Sequence, residues 1–441
     1  MQDPVLMGAG ARLSLRRLWV RLRASFWFTP ALIVLASMLV AVVLVEFDAV
    51  RSADLARWSP RLFGAGADGS RAMLSAIATS MITVAGVVFS ITIVTLSLTA
   101  TEYSPRVLRN FMRDAPTQVV LGVFVGIFAY CLVVLRTIRG GDEGEFIPSV
   151  AVLVGLGYAF AGIGVLIYFI HHVALSIQAS SILGRIAADT ERAIDHLFPQ
   201  EVGEALAGQA GERMLPRQWH TIQAHRSGYV QSVDADVLLR YACERDTVVR
   251  LCVNVGQYVS EGTPLLEAGL GGASTQQLEA LRSCVGVGRQ RTVEQDAAFG
   301  LQQLVDVALR ALSPGVNDPT TACMCVNELG RLLARLVGRA MPESHRFGGG
   351  RLRVIATVPD FGRMVDEALL PVVRYAAGNQ QVLAHVADAL ARIREAAPLP
   401  ARKAALRACF AELRAEVARV RPRRRSAALR RRLRDMEAGR S

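Results

Sequence analysis

Two carboxylates in a polar segment are candidates for acid–base chemistry. Glu294 and Asp296 lie close to Arg289 and Arg291 in the stretch RQRTVEQD. A carboxyl group beside a guanidinium can act as a general acid, but catalysis also needs a nucleophile or a metal site nearby. The surrounding sequence contains neither, so we predict no catalytic residues. Gln295 and Asp296 remain candidates for a ligand or partner site.

A tight turn follows about twenty residues later. Ser313, Pro314 and Asn317 belong to the turn, and Asp318 is placed to cap a helix that opens with Pro319. The start of a helix also presents unpaired backbone amides that can bind an anion. Two interpretations stay open for Ser313, Pro314, Asn317 and Asp318: a structural turn, or a site for a ligand or partner.

The seven cysteines do not form a recognisable pattern. They are scattered at positions 131, 243, 252, 284, 323, 325 and 409. Cys323 and Cys325 are separated by one residue, which is closer than zinc ligands usually lie. The chain beyond residue 171 also has no GxGxxG or P-loop motif. We therefore predict no metal site and no cofactor.

The chain is too apolar for an ordinary soluble protein. Its 441 residues are 52% hydrophobic, with a mean hydropathy of +0.31. Four apolar runs, at about 26–47, 72–100, 117–136 and 147–170, can each cross a hydrocarbon core that needs roughly 20 helical residues. We predict an all-α membrane part with four transmembrane helices.

The second run carries small and hydroxyl-bearing residues on one helical face. Thr79, Thr83, Gly86, Ser90 and Ser97 recur at intervals of three, four and seven. Such a face can pack against a neighbouring helix, or it can line a wet path at the axis of an oligomer. No acidic or basic residue lies in the middle of a span, so a proton relay is not expected.

A short amphipathic helix is predicted between the second and third spans. Ser104 can cap it and Pro105 can open it, while Arg106, Arg109 and Arg113 fall on one face. One interpretation is an anchor to lipid headgroups. The other is a coupling element between the spans and the soluble part.

Arginines near the spans predict the orientation. Residues 1–25 contribute +4 and residues 421–441 contribute +7 of the net charge of +12. Short basic flanks stay in the cytoplasm, so we expect both termini there. The Arg-rich tail at 421–441 is predicted to contact anionic lipid headgroups. It lacks stacking aromatics, so nucleic-acid binding is not expected.

The second half is predicted to be a cytoplasmic α+β part. We expect the four-span domain at 1–171, a helical connector at 172–218, a β module at 219–268, an α+β domain at 269–420 and the tail at 421–441. The helical pattern past His171 predicts that span four continues as one helix to Phe198. Residues 351–358 predict a single strand.

The β module resembles the barrel-sandwich hybrid of biotinyl and lipoyl carrier domains. The resemblance rests on SGYVQSV at 227–233 and VGQYVSEGTPLL at 255–266. Those carriers modify a lysine at a hairpin tip, but the single lysine here is Lys403. The likeness therefore implies a module for contact and not a covalent carrier.

Longer segments resemble the bacterial predicted membrane proteins of domain-of-unknown-function family 2254. The likeness covers about residues 15–400 and is most specific in FSITIVTLSLTATEYSPRVLRNFMRD and RTVEQDAAFGLQQLVDVALRALSPGVNDPTTA. It implies an integral protein of the bacterial inner (plasma) membrane, with four spans and a soluble C-terminal part. It implies no activity and no catalytic residues.

Two functions compete at this point. The first is an oligomeric channel-like or passive-transport protein, built as a homo-oligomer, whose cytoplasmic part forms a vestibule or gate. The alternative is a membrane-anchored scaffold or sensor that binds a cytoplasmic protein partner.

Overall fold

The computed structural model describes residues 26–58, 66–102, 114–140, 146–198, 215–269, 274–342, 344–357, 359–376, 378–420 and 426–437. These residues divide into two compact units, and the boundary in the sequence falls between Gln178 and Ala179. The N-terminal unit is helical, and the C-terminal unit combines helices with sheets.

Four helices form the described part of the N-terminal unit: α1 (Phe28–Trp58), α2 (Ala67–Glu102), α3 (Ala115–Thr137) and α4 (Ser149–Ser176). Each is long and apolar enough to cross a membrane, so the four predicted spans coincide with four candidate membrane helices. Helix α2 has 36 residues. At 1.5 Å per residue it extends over roughly 54 Å, so it tilts or projects beyond a hydrocarbon core of about 30 Å.

Helix α3 lies at the centre of this unit and contacts α1, α2 and α4. Two glycines bring it close to α1. A Cβ at Gly122 would lie 2.8 Å from Ile33 Cδ1, and one at Gly126 would lie 2.7 Å from Ser37 Oγ. Small residues permit such close packing between spans, where lipid leaves no hydrophobic force to drive helix association.

The segment after span four is a separate helix, so the prediction of one continuous helix is wrong. Helix α4 ends at Ser176, and α5 (Ala179–Leu197) begins after two residues. The two segments have different surroundings. Helix α4 is apolar around most of its surface, whereas α5 is amphipathic and needs a partner for one face. That face is buried: Ile182, Leu183, Ile186, Ala187, Thr190, Ala193 and Ile194.

The rest of the C-terminal unit alternates short strands with helices. In chain order these are β1 (His220–Gln223), β2 (Gly228–Val233), α6 (Ala235–Glu244), β3 (Val249–Leu251), β4 (Tyr258–Val259), β5 (Pro264–Ala268), α7 (Thr275–Ser283), β6 (Val285–Gly288), α8 (Ala297–Ala311), α9 (Pro319–Val337), β7 (His345–Gly348), β8 (Arg351–Ile355), α10 (Phe361–Tyr375), α11 (Gln380–Ala396), α12 (Pro400–Ala405), α13 (Arg407–Arg419) and α14 (Ala427–Glu437).

The described strands form two sheets. One has three antiparallel strands in the order β4-β2-β6, and the other has five in the order β1-β5-β3-β8-β7. Strands β3 and β8 are parallel, and the other neighbours are antiparallel. Val230, Leu238, Val249, Leu266 and Leu281 belong to the hydrophobic core that the strands share with helices α6 and α7.

Strands from the predicted β module pair beyond its expected limit at residue 268. Strand β2 pairs with β6, and β3 pairs with β8. The described strands form no closed barrel, so the barrel-sandwich arrangement is not confirmed. The strand predicted at 351–358 is not isolated, because β8 lies between β7 and β3. The domain boundaries remain predictions.

Part of the predicted Arg-rich tail is a helix that packs on the C-terminal unit. Helix α14 contacts α11 and α13, and it buries Leu429, Leu433 and Met436. Arg432 forms an ion pair with Asp388 of α11. The apolar residues between the arginines, spaced three and four apart, explain why this segment packs as an amphipathic helix.

Candidate functional site

The hydroxyl-bearing face of span two lies on the surface of the N-terminal unit. Thr79, Thr83, Gly86, Ser90 and Ser97 are all exposed, and a Cβ at Gly86 would meet no atom within 4 Å. The opposite side of α2 is buried inside the unit: Leu74, Ile77, Ala78, Met81, Ala85 and Val88. The face is therefore turned away from the other spans of its own chain.

The hydroxyl groups on this helix bond back to its own carbonyls. Thr83 donates to the Thr79 carbonyl over 2.8 Å, and Ser80 donates to the Ala76 carbonyl over 2.8 Å. These bonds satisfy each donor while leaving oxygen lone pairs as acceptors. The arrangement is compatible with both packing and a wet path, and the role of the face remains a prediction.

The glycines of span four divide between the two sides of α4. Gly155 faces inward, where a Cβ would lie 2.9 Å from Leu74 Cδ2. Gly157 and Gly164 face open space. Gly162 faces inward as well, where a Cβ would lie 3.2 Å from Met81 Sδ. The inward glycines allow close packing within the unit. The outward pair, like the face of α2, lies on the surface.

Asp48 is a buried carboxylate that sequence reasoning missed. It is 2% exposed, and its Oδ2 accepts the backbone N–H of Ala151 at 3.0 Å. That amide belongs to the first turn of α4, where backbone donors lack partners within the helix. The Tyr130 hydroxyl donates to the carbonyl of the same Ala151 over 2.7 Å. Span one therefore caps span four, through residues 103 positions apart.

A second polar contact joins the start of span three to the end of span four. The Asp114 carboxylate caps α3 by accepting the Thr117 N–H, and its Oδ2 lies 2.8 Å from His172 Nε2. Burial raises the pKa of Asp114, but hydrogen bonds from Thr117 and His172 outweigh burial and hold that pKa below its usual value. Tyr168 stacks on the His172 ring with centroids 5.9 Å apart.

The predicted coupling helix lies outside the described residues. This applies to all five of its candidate residues: Ser104, Pro105, Arg106, Arg109 and Arg113. Its role as a lipid anchor or coupling element remains a prediction.

Gln295 and Asp296 join the three-stranded sheet to helix α8. Gln295 Oε1 accepts the backbone N–H of Val233 in β2 at 2.8 Å. Asp296 caps α8 by accepting the Phe299 N–H at 3.0 Å. It also accepts Arg291 Nε and Nη2 at 2.9 and 2.7 Å. Burial raises the pKa of Asp296, and the Arg291 guanidinium works in the opposite direction.

Gly256 allows a loop to approach this ion pair. Its φ is +85°, in the left-handed region that favours glycine. A Cβ there would lie 2.2 Å from Asp296 Oδ2 and 2.9 Å from Arg291 Nη2. The loop between β3 and β4 therefore packs directly on the pair. Asp296 therefore contacts the loop between β3 and β4 and caps α8, and the neighbouring Gln295 bonds to the three-stranded sheet.

Local hydrogen bonds account for the turn at 313–318. Asn317 has a φ of +47°, and Ser313 Oγ donates to a carbonyl in the preceding turn over 2.7 Å. Asp318 caps α9 as predicted, because its Oδ1 accepts the N–H groups of Thr320 and Thr321 at 3.0 and 3.1 Å. Hydrogen bonds from Thr321 hold the pKa of Asp318 below its usual value. Its carboxylate already occupies two amides of this helix start.

The closely spaced thiols of α9 are both buried. Burial raises the pKa of Cys323 and of Cys325. Within the described residues, no group of three or more His, Cys, Asp or Glu side chains is arranged to hold a metal ion.

Sequence comparison identifies the family to which the chain belongs. Residues 23–392 match the family described as "Predicted membrane protein (DUF2254)". The chain belongs to this family. Four candidate spans and membership of a family of predicted membrane proteins together establish a membrane protein.

Similar proteins occur in mycobacteria. The chain is 34% identical over 352 residues to "Uncharacterized protein MT1328" of Mycobacterium tuberculosis (strain CDC 1551 / Oshkosh). It matches "Uncharacterized protein Mb1321c" of Mycobacterium bovis (strain ATCC BAA-935 / AF2122/97) at the same identity. Each match covers 76% of this chain and 66% of the relative, so the chain spans less than two thirds of these relatives' length. No solved structure matches the chain.

Proposed function

We propose that this membrane protein is an oligomer of channel-like or passive-transport kind. One observation carries the proposal: span two turns its hydroxyl-bearing face away from its own unit while burying the opposite side. Thr79, Thr83, Gly86, Ser90 and Ser97 form that face. In an oligomer, α2 would face the axis and present acceptor oxygens to water or to a solute.

The proposed setting is the bacterial inner membrane, with both termini and the C-terminal unit in the cytoplasm. The Arg distribution supports this orientation. The C-terminal unit would then form a vestibule or gate. Exposed Arg431 and Arg434 on α14 would face anionic headgroups, each contributing about 1 kcal/mol near the surface.

Conductance in planar bilayers tests the proposal. Ser90→Leu removes a hydroxyl from the proposed path and adds bulk, so we expect single-channel conductance to fall or vanish. Ser80→Leu is the matched control. Ser80 is also exposed and bonded back to its helix, but it lies about 100° around the helix from Thr79. Equal effects of the two variants, or no conductance from wild type at any voltage, would count against a pore.

The alternative is a membrane-anchored scaffold or sensor that binds a cytoplasmic protein through its β module. Exposed Tyr258 favours it: this ring is 57% exposed and meets Tyr229 edge-on at 5.2 Å. Exposed tyrosines are common anchors at protein interfaces. Capture of a partner that Tyr258→Ala loses and Tyr375→Ala retains would support this alternative. Tyr375 is the control because it is 59% exposed on α10.

A further inference from the structure

Helix α5 is joined to span four by a very short connecting segment. Only Ile177 and Gln178 separate the end of α4 at Ser176 from the start of α5 at Ala179. Two residues reach at most about 7 Å when fully extended. A displacement of α5 larger than this link can absorb must therefore move the last turn of span four or break it.

The inner face of α5 is fixed in the core of the C-terminal unit. Its buried stripe packs on α8 and α9. At the crossing with α8, Gly300 leaves room for Thr190, because a Cβ at Gly300 would lie 2.1 Å from Thr190 Oγ1. Such a close crossing holds the two helices in one register, since packed interiors do not deform smoothly.

A ladder of ion pairs fixes the outer edge of α5. Arg331 Nη1 lies 2.8 Å from Glu191 Oε2. Asp195 then receives Arg335 Nε at 2.8 Å and Arg339 Nη2 at 2.5 Å. Arg331 and Arg335 are four residues apart on α9, so they share one face, and Arg339 follows two residues after the helix ends at Val337. Single exposed ion pairs contribute little, but a shared carboxylate and paired donors make this a network.

The C-terminal end of α5 is held as well. Arg339 Nη1 donates to the Phe198 carbonyl over 2.7 Å, just beyond the last turn. On the other side of the link, span four is held in its own unit by the contacts of Ala151 with Asp48 and of His172 with Asp114. Helices α4 and α5, each packed in its own unit, are thus connected by a segment of two residues.

We infer that α5 is a coupling element of the molecule: it ties the C-terminal unit to span four through Ile177 and Gln178. Force or displacement in the C-terminal unit reaches the last turn of α4 through this helix. The inference concerns mechanics alone and does not depend on whether the molecule conducts.

Hydrogen exchange on the full-length protein in detergent micelles tests this coupling. Asp195→Arg places a third cation beside Arg335 and Arg339 and loosens α5 from α9. We expect amide exchange at residues 173–178 of the α4 end and link to accelerate on the order of fivefold, the size of about 1 kcal/mol of lost local stability. The charge-swapped double variant Asp195→Arg with Arg335→Glu should recover most of the protection. Asp195→Asn gives a milder version if the reversal prevents folding.

An insertion provides the decisive control. Gly-Ser-Gly-Ser placed between Ile177 and Gln178 should abolish the effect of Asp195→Arg on the end of α4. The same insertion between Gly349 and Gly350, in the exposed turn that joins β7 to β8, should preserve it. The inference is overturned if Asp195→Arg accelerates exchange in α5 alone, or if its effect on α4 survives the first insertion. A failure of the conductance experiment would leave this result untouched.

Discussion

Asp48 shows how one side chain can connect two spans. A buried acceptor at the start of α4 is worth more in a membrane unit than on a surface, because no water replaces it. Gly256 shows the complementary case, in which a missing side chain lets a loop reach an ion pair. A separate prediction about stability follows from each residue.

Removing the Asp48 carboxylate should destabilise the N-terminal unit. Asp48→Leu leaves the Ala151 amide without its acceptor, which costs about 1–3 kcal/mol. Asp48→Asn keeps an acceptor oxygen and should cost less. Thermal unfolding in detergent would measure both variants. Glu46→Leu is the control, because Glu46 is exposed two residues earlier. Equal losses for Asp48→Leu and Glu46→Leu would show that the cap is unimportant.

Gly256→Ala should destabilise the C-terminal unit more than Gly262→Ala. Both glycines have nearly the same φ, +85° and +83°, so both variants carry the backbone strain of about 1 kcal/mol. Only Gly256 faces a clash, since a Cβ at Gly262 meets no atom within 4 Å. Chemical denaturation measures the difference. Indistinguishable variants would mean that the loop does not rest on the Asp296 pair.

Acid should weaken the ladder between α5 and α9. Hydrogen bonds and charge from Arg335, with Arg339, hold the pKa of Asp195 below its usual value. The ionised Asp195 carboxylate therefore stabilises the folded protein fully above about pH 4. This stabilisation is lost as pH falls through the lowered pKa of Asp195. Because the Asp195 side chain is 40% exposed, solvent screening keeps the contribution below about 1 kcal/mol.

Denaturation of wild type and Asp195→Asn as a function of pH measures this contribution. The stability gap between them should be present at pH 7 and narrow steadily below pH 4. A gap that stays constant over this range would rule out the ionised carboxylate as its source.

At the scale of elements, the inner and outer sides of a membrane helix differ in which substitutions they tolerate. Gly155→Ala should destabilise the unit because its Cβ would lie 2.9 Å from Leu74 Cδ2. Gly157→Ala sits in the same helix with open space around it, and alanine favours the helix by up to about 1 kcal/mol. Thermal unfolding of the two variants should therefore differ in sign. Destabilisation by Gly157→Ala would reveal a neighbour on the outer side, as another copy of the chain would provide.

At the scale of the whole molecule, orientation can be tested with a native thiol. Cys243 on α6 is exposed, Cys252 is half-buried and the other five cysteines are buried. A membrane-impermeant maleimide should label Cys243 in inside-out vesicles and leave it unlabelled in intact spheroplasts. Cys243→Ser should remove most of the signal. Labelling of Cys243 from the outside would place the C-terminal unit in the periplasm and overturn the proposed orientation.

Much of the architecture could be predicted from local patterns. The four spans follow from runs of apolar residues that are long enough to cross a bilayer, and the structure confirms an apolar helix at each of them. Asp318 caps α9 as its position predicts, because a cap depends on residues within one turn. The family likeness was also visible in the sequence and is confirmed over residues 23–392.

Sequence by itself determined the spans, the caps and the small-residue face of α2, because periodicity and hydropathy act over a few neighbouring residues. Tertiary structure alone decided which way that face points, that span four ends at Ser176, and that β3 pairs in parallel with β8. It also brought Asp48 to Ala151 and His172 to Asp114. These contacts join residues far apart in the chain, and their energies come from burial and hydrogen bonding that no local pattern encodes.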